Sequence, residues 1–158
     1  MSQQQTPASP NSRSFFQFMQ KAQEDIQEEF KIRLYVSLYF RALHSDQVLN
    51  YDEKAWLVER IEDLYSIDIF APLQRKYTLE EFSAKASEVL RDPLDLDKIL
   101  STFIAEGKES LCYELVCFAA SAGDRYLNQK ELDFLNQIAD SLQLSPENKK
   151  DLERGFFT

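Results

Sequence analysis

Two short stretches of this chain carry the same set of groups that could do chemistry. Asp46, Leu49, Asn50 and Glu53 stand in the pattern D-x-x-L-N-x-x-E, and Asp124, Leu127, Asn128 and Glu131 repeat it. Paired carboxylates are ligands for a hard divalent cation, which takes oxygen from Asp, Glu and backbone carbonyls. A calcium loop of the EF-hand type is the first form to consider. It needs oxygen ligands at positions 1, 3 and 5, glycine at 6 and a bidentate glutamate at 12. With Glu131 at position 12, positions 1 and 3 are Ala120 and Ala122, and position 6 is Arg125. In the other copy the equivalent residues are Ala42, His44 and Gln47. Neither loop has the oxygens to wrap calcium.

Two readings of the unit stay open. In the structural one, Asn50 and Asn128 cap helices, Glu53 and Glu131 complete capping boxes, and Leu49 and Leu127 act as hydrophobic staples. Asp46 and Asp124 brace the turn through side-chain-to-backbone bonds. In the functional one, the two corners meet, and Asp46, Glu53, Asp124 and Glu131 share a divalent cation, with His44 available beside them. No other cofactor is indicated.

Elsewhere the parts for catalysis are sparse. One histidine, His44, rules out a di-iron centre built on paired Glu-x-x-His motifs. There is neither a phosphate-cradling glycine loop nor a nucleophile elbow. Cys112 and Cys117 fit no zinc or disulfide spacing and read as reduced, buried thiols. The expectation is a protein without enzymatic activity.

Positioning these groups falls to helices. Three glycines and five prolines in 158 residues favour long helices over a barrel or sandwich. Phe15, Phe18, Met19, Ala22, Ile26 and Phe30 recur at helical spacing. The stretches 32–43 and 111–122 are apolar almost all round, which places two helices at the centre with amphipathic ones around them. Capping-box spacing marks helix starts at Asn50, Thr78 and Asn128, and cap-proline pairs mark two more at Asp92-Pro93 and Ser145-Pro146. The fold class is all-α, a compact bundle of about eight helices. Residues 1–14 read as a flexible polar tail without a signal peptide, and 15–158 as one domain.

The repeat extends beyond the acidic unit. Residues 34–64 laid over 112–142 align Tyr35 with Tyr113, Phe40 with Phe118, Ala42 with Ala120, Leu57 with Leu135 and Leu64 with Leu142. Two copies at so long a period indicate an internal duplication around the two central helices rather than a solenoid.

On these residues the chain resembles the TerB-like family, associated with bacterial tellurite resistance. The family pattern is A-D-G-x-hydrophobic-x-x-x-E between an apolar and an amphipathic helix. "GDRYLNQKE" (123–131) matches through Asp124, Leu127 and Glu131, and "SDQVLNYDE" (45–53) through Asp46, Leu49 and Glu53. The likeness runs over 112–152 and more weakly over 34–66. The family glycine after the aspartate is Gln47 in one copy and Arg125 in the other, and Arg125 stands where it can pair with Asp124. The resemblance implies a duplicated helical bundle, a non-enzymatic role in stress response, and metal binding through Asp46, Glu53, Asp124 and Glu131.

Surface chemistry narrows the partners. A net charge of −9 repels phosphate backbones, so nucleic acid is excluded as the expected partner. No apolar run reaches the length of a membrane span, and a cytoplasmic location is expected. Phe15 and Phe16, next to the tail, are candidates for an exposed protein-docking patch. Phe156 and Phe157 are expected to fold back onto the core. The composition identifies neither the protein partner nor the oligomeric state.

Overall fold

The computed structural model describes residues 10–43, 54–121 and 127–157. They form eight α-helices and one 3₁₀ turn, and no strand occurs among the described residues. The helices are α1 (Pro10–Leu43), α2 (Lys54–Tyr65), α3 (Ala71–Lys76), α4 (Leu79–Arg91), α5 (Leu96–Ala105), α6 (Glu109–Ser121), α7 (Gln129–Ser141) and α8 (Pro146–Glu153). The 3₁₀ turn is Asp68–Phe70, between α2 and α3. The all-helical reading therefore holds. None of these helices is long and apolar enough to cross a membrane.

The chain divides into two compact units, Met1–Ile32 and Arg33–Thr158. The first contributes the N-terminal part of α1. The second contains everything from Arg33 onward and carries the bundle.

Within the second unit, the two stretches without a polar face are the most buried. Residues 34–40 are buried at every position, and so are Cys112, Tyr113, Leu115, Val116, Cys117, Ala119 and Ala120 of α6. A helix apolar on all sides stabilises the fold only when neighbours cover all of it. Tyr39 of α1 stacks on Phe118 of α6 at 5.6 Å between ring centroids, joining the two. Tyr35 stacks on Phe70 at 5.4 Å and on Phe103 of α5 at 5.6 Å. Phe82 of α4 meets Phe70 at 5.6 Å and Tyr65 of α2 at 5.3 Å. The aromatic side chains thus form a buried layer of two clusters, one of Tyr35, Tyr65, Phe70, Phe82 and Phe103 and one of Tyr39, Phe40 and Phe118, both rooted on α1. Around it, α2 packs on α4, and α6 contacts α5, α7 and α8.

Helix ends follow local chemistry. Thr78 and Asn128 each open a helix with a complete capping box, and Ser145 caps α8 ahead of Pro146 by accepting from the Asn148 amide at 3.1 Å. Gly107 closes α5 at φ 69°, returning its own amide to the Ile104 carbonyl and that of Lys108 to Phe103. Gln143 makes the same left-handed turn after α7 at φ 56°, without glycine's freedom.

The Asp92-Pro93 expectation needs correcting. Asp92 is the C-terminal cap of α4, and α5 starts later, after Asp95. Pro93 biases the preceding residue away from helix, and Asp92 leaves the helical region at φ −150° and ψ 71°. Long-range bonds then hold the chain against α1. Arg41 Nε donates to the Leu94 carbonyl at 2.6 Å, and the Leu94 amide donates to Ser37 Oγ at 3.0 Å.

Candidate functional site

The acidic corner of the second copy is described from Leu127 onward. Asn128 precedes α7 with extended backbone, and its Oδ1 accepts from the Glu131 amide at 2.8 Å. Glu131 Oε1 accepts in return from the Asn128 amide at 3.1 Å. Both bonds satisfy amides that an α-helix leaves without partners at its start. Glu131 therefore spends one carboxylate oxygen on the backbone. The same arrangement occurs at Thr78 and Glu81, which belong to neither copy of the repeated unit, with bonds of 3.1 and 3.0 Å. The hydrogen bond from the Thr78 amide, followed by that from the Thr78 side chain, holds the Glu81 carboxyl below its ordinary pKa.

Asp46, Glu53 and Asp124, expected as metal ligands with Glu131, lie outside the described residues, as do His44, Asn50 and Arg125. Of the four expected ligands the structure places only Glu131, at the first turn of α7. Among the described residues there is no group of three or more His, Cys, Asp or Glu side chains placed to hold a metal ion.

Other polar groups inside the bundle have identifiable surroundings. Tyr113 is buried in α6, and its hydroxyl donates to Glu153 Oε2 at 2.5 Å; Lys149 Nζ donates to the same oxygen at 2.7 Å. Burial, followed by the Glu153 hydrogen bond, raises the Tyr113 phenol above its usual range. Cys112 and Cys117 are free and buried, and burial pushes each thiol up to about 12. Such thiols hold very little of the reactive thiolate at neutral pH. Arg60 is almost fully buried and pairs through Nη2 with Glu59 at 3.1 Å and Asp63 at 3.3 Å. The nearby Tyr39 hydroxyl is buried with no hydrogen-bond partner among the described residues.

A cleft of about 350 Å³ opens between the 3₁₀ turn and α6, with Ile67, Ile69, Leu111 and Phe118 along its walls and Asp68 and Glu114 as its polar groups. Phe156 closes one side, with its ring centroid 6.5 Å from that of Phe118. The C-terminal phenylalanines do fold back, and both are half-buried.

The most unusual surface lies on the first unit. Phe15, Phe16 and Phe18 are 61%, 70% and 69% exposed, Ile26 is 68% and Met19 50%. Large apolar side chains are seldom this exposed side by side on a monomeric protein. Phe15 and Phe16 were legible as a docking candidate because they adjoin the polar tail. Phe18, Met19 and Ile26 read equally well as core, since a helical period shows that a face is apolar and not what covers it.

Compared with protein-family models, curated proteins and solved structures, the chain matches none.

Proposed function

We propose that this chain is a non-enzymatic helical interaction protein that engages another protein through the N-terminal face of α1. The single observation behind this reading is the exposure of Phe15, Phe16, Phe18, Met19 and Ile26 on one helix. The buried polar groups are compatible with it: the thiols are held protonated, and the Tyr113, Glu153 and Lys149 groups satisfy one another. The test is cross-linking in the native cell of a chain carrying benzoylphenylalanine in place of Phe18. A discrete cross-linked species, lost when Met19→Asp and Ile26→Asp are added, is the expected result. No cross-linked species at all refutes the reading.

A second reading follows the repeated acidic unit and the TerB-like resemblance. In it, the chain is a duplicated bundle of bacterial tellurite and stress response that binds a divalent cation through Asp46, Glu53, Asp124 and Glu131. The parallel burial of the two copies favours the duplication: Tyr35 and Tyr113, Ala42 and Ala120, and Leu64 and Leu142 are buried in both. Loss of tellurite tolerance on gene deletion, restored by the wild-type chain, tests the family role. The ion is tested by the Glu131 substitution developed in the Discussion.

A further inference from the structure

In the first unit, Phe15, Met19, Ala22 and Ile26 follow one another at intervals of four, three and four. That is the seam of a heptad, the spacing that lets one helix seat against another. Phe16, Met19, Ala22 and Ile26 border a shallow hollow along this helix, and Phe15 meets Phe16 edge to face at 6.2 Å.

We infer that this seam pairs antiparallel with the same seam of a second copy of the chain. The inference rests on the interaction reading above and names its partner. The spacing is self-complementary. A two-fold axis between Gln20 and Lys21 sets Met19 opposite the second copy's Ala22 and Phe15 opposite its Ile26. The axis then repeats both layers, as an isologous contact requires. The long Met19 side chain faces the small Ala22, so the layers interdigitate instead of colliding.

Charge selects the direction. Residues 10–23 hold two bases, Arg13 and Lys21, and no acid; residues 24–29 hold Glu24, Asp25, Glu28 and Glu29 and no base. A parallel pair would set four acids beside four acids, whereas the antiparallel register sets residues 24–29 beside residues 12–17, which hold Arg13 and no acid. The area suits a modest dimer. The exposed side chains present roughly 600 Å² per helix, taking about 200 Å² for each large side chain when fully exposed. Two such faces bury about 1,200 Å², the low end of specific interfaces, so association should depend on concentration. A membrane surface is a poorer match, because interfacial helices are rich in Lys and Arg, and here three bases meet four acids across 10–32.

The experiment is sedimentation equilibrium of the full chain over a wide concentration range, with disulfide trapping as a second measurement. The expected result is a monomer–dimer equilibrium that Met19→Asp weakens about tenfold or more, with unchanged circular dichroism. For trapping, Met19→Cys and Ala22→Cys chains are mixed and oxidised with diamide, which takes up the two thiol hydrogens as the S–S bond forms. A mixed disulfide forming faster than either homodisulfide supports the antiparallel register, and faster homodisulfides overturn it. A chain monomeric at every concentration overturns the inference, as does flotation of a monomeric chain with neutral phosphatidylcholine vesicles. In the Phe18 cross-linking, an adduct of twice the chain mass supports self-pairing. An adduct of another mass overturns self-pairing but leaves the interaction reading standing, and no adduct overturns both.

Discussion

Replacing Glu131 with glutamine separates the two tasks assigned to the acidic corner. Glutamine keeps an acceptor oxygen where Glu131 Oε1 now takes the Asn128 amide at 3.1 Å, so the capping box persists. What is lost is the charge at the start of α7, a cost of about 0.5 kcal/mol at a surface site. Asn128→Ala instead removes the acceptor that takes the Glu131 amide at 2.8 Å and should cost about 1 kcal/mol. For a bundle of this size these correspond to drops in Tm of about 2 °C and 4 °C. A bound cation acts on a larger scale. At a hundred times its Kd it adds about 2.7 kcal/mol, a rise in Tm of roughly 10 °C. The assay is thermal unfolding with and without magnesium, calcium, manganese or zinc, for the wild type, Glu131→Gln and Asn128→Ala. If the corner is purely structural, no ion moves any of the three, and Asn128→Ala melts below Glu131→Gln. If the corners share an ion, the wild type rises and Glu131→Gln does not. A wild type indifferent to every ion refutes the metal site, and an Asn128→Ala chain as stable as the wild type refutes the capping energetics.

Three further outcomes test the packing and the electrostatics. Phe103→Ala removes the ring stacked 5.6 Å from Tyr35 in the buried aromatic layer and should cost about 3–5 kcal/mol in denaturant unfolding; a loss under 1 kcal/mol contradicts the assigned core. Gln143→Gly relieves a side chain held at φ 56° and should raise stability by about 1 kcal/mol, where an unchanged or lower midpoint counts against the strain. Cys112 and Cys117 should resist iodoacetamide at pH 8 until the chain is unfolded. Because burial raises both thiols from 9 to about 12, their contribution to stability is complete below pH 9 and declines as the pH rises towards 12; fast labelling of the folded chain would contradict this.

Much of the architecture is legible in the residues alone, because helix signals are local. A helical period, a Thr or Asn followed three places on by Glu, and a serine before proline each act within one or two turns, and α4, α7 and α8 begin where those signals stand. The stretches 32–43 and 111–122 have no polar side to offer water, so central positions follow from composition. Asp92-Pro93 shows where local reasoning stops. The same dipeptide that can begin a helix here follows the end of one, and Arg41 and Ser37, more than fifty residues earlier, hold the backbone at Leu94.

The aromatic residues mark the same boundary. Phe15, Phe16 and Phe18 are as dense in the sequence as Tyr35, Tyr39 and Phe40, yet the first three face solvent and the last three are buried. Hydrophobicity and period are properties of a residue and its helix, whereas burial depends on which other elements arrive to cover it. The sequence by itself determined the helical class, the caps of α4, α7 and α8, the apolar faces and the repeated acidic unit. Only the tertiary structure decided which apolar face became the core, where the Tyr39 and Tyr113 hydroxyls lost their solvent, and which apolar face stayed exposed.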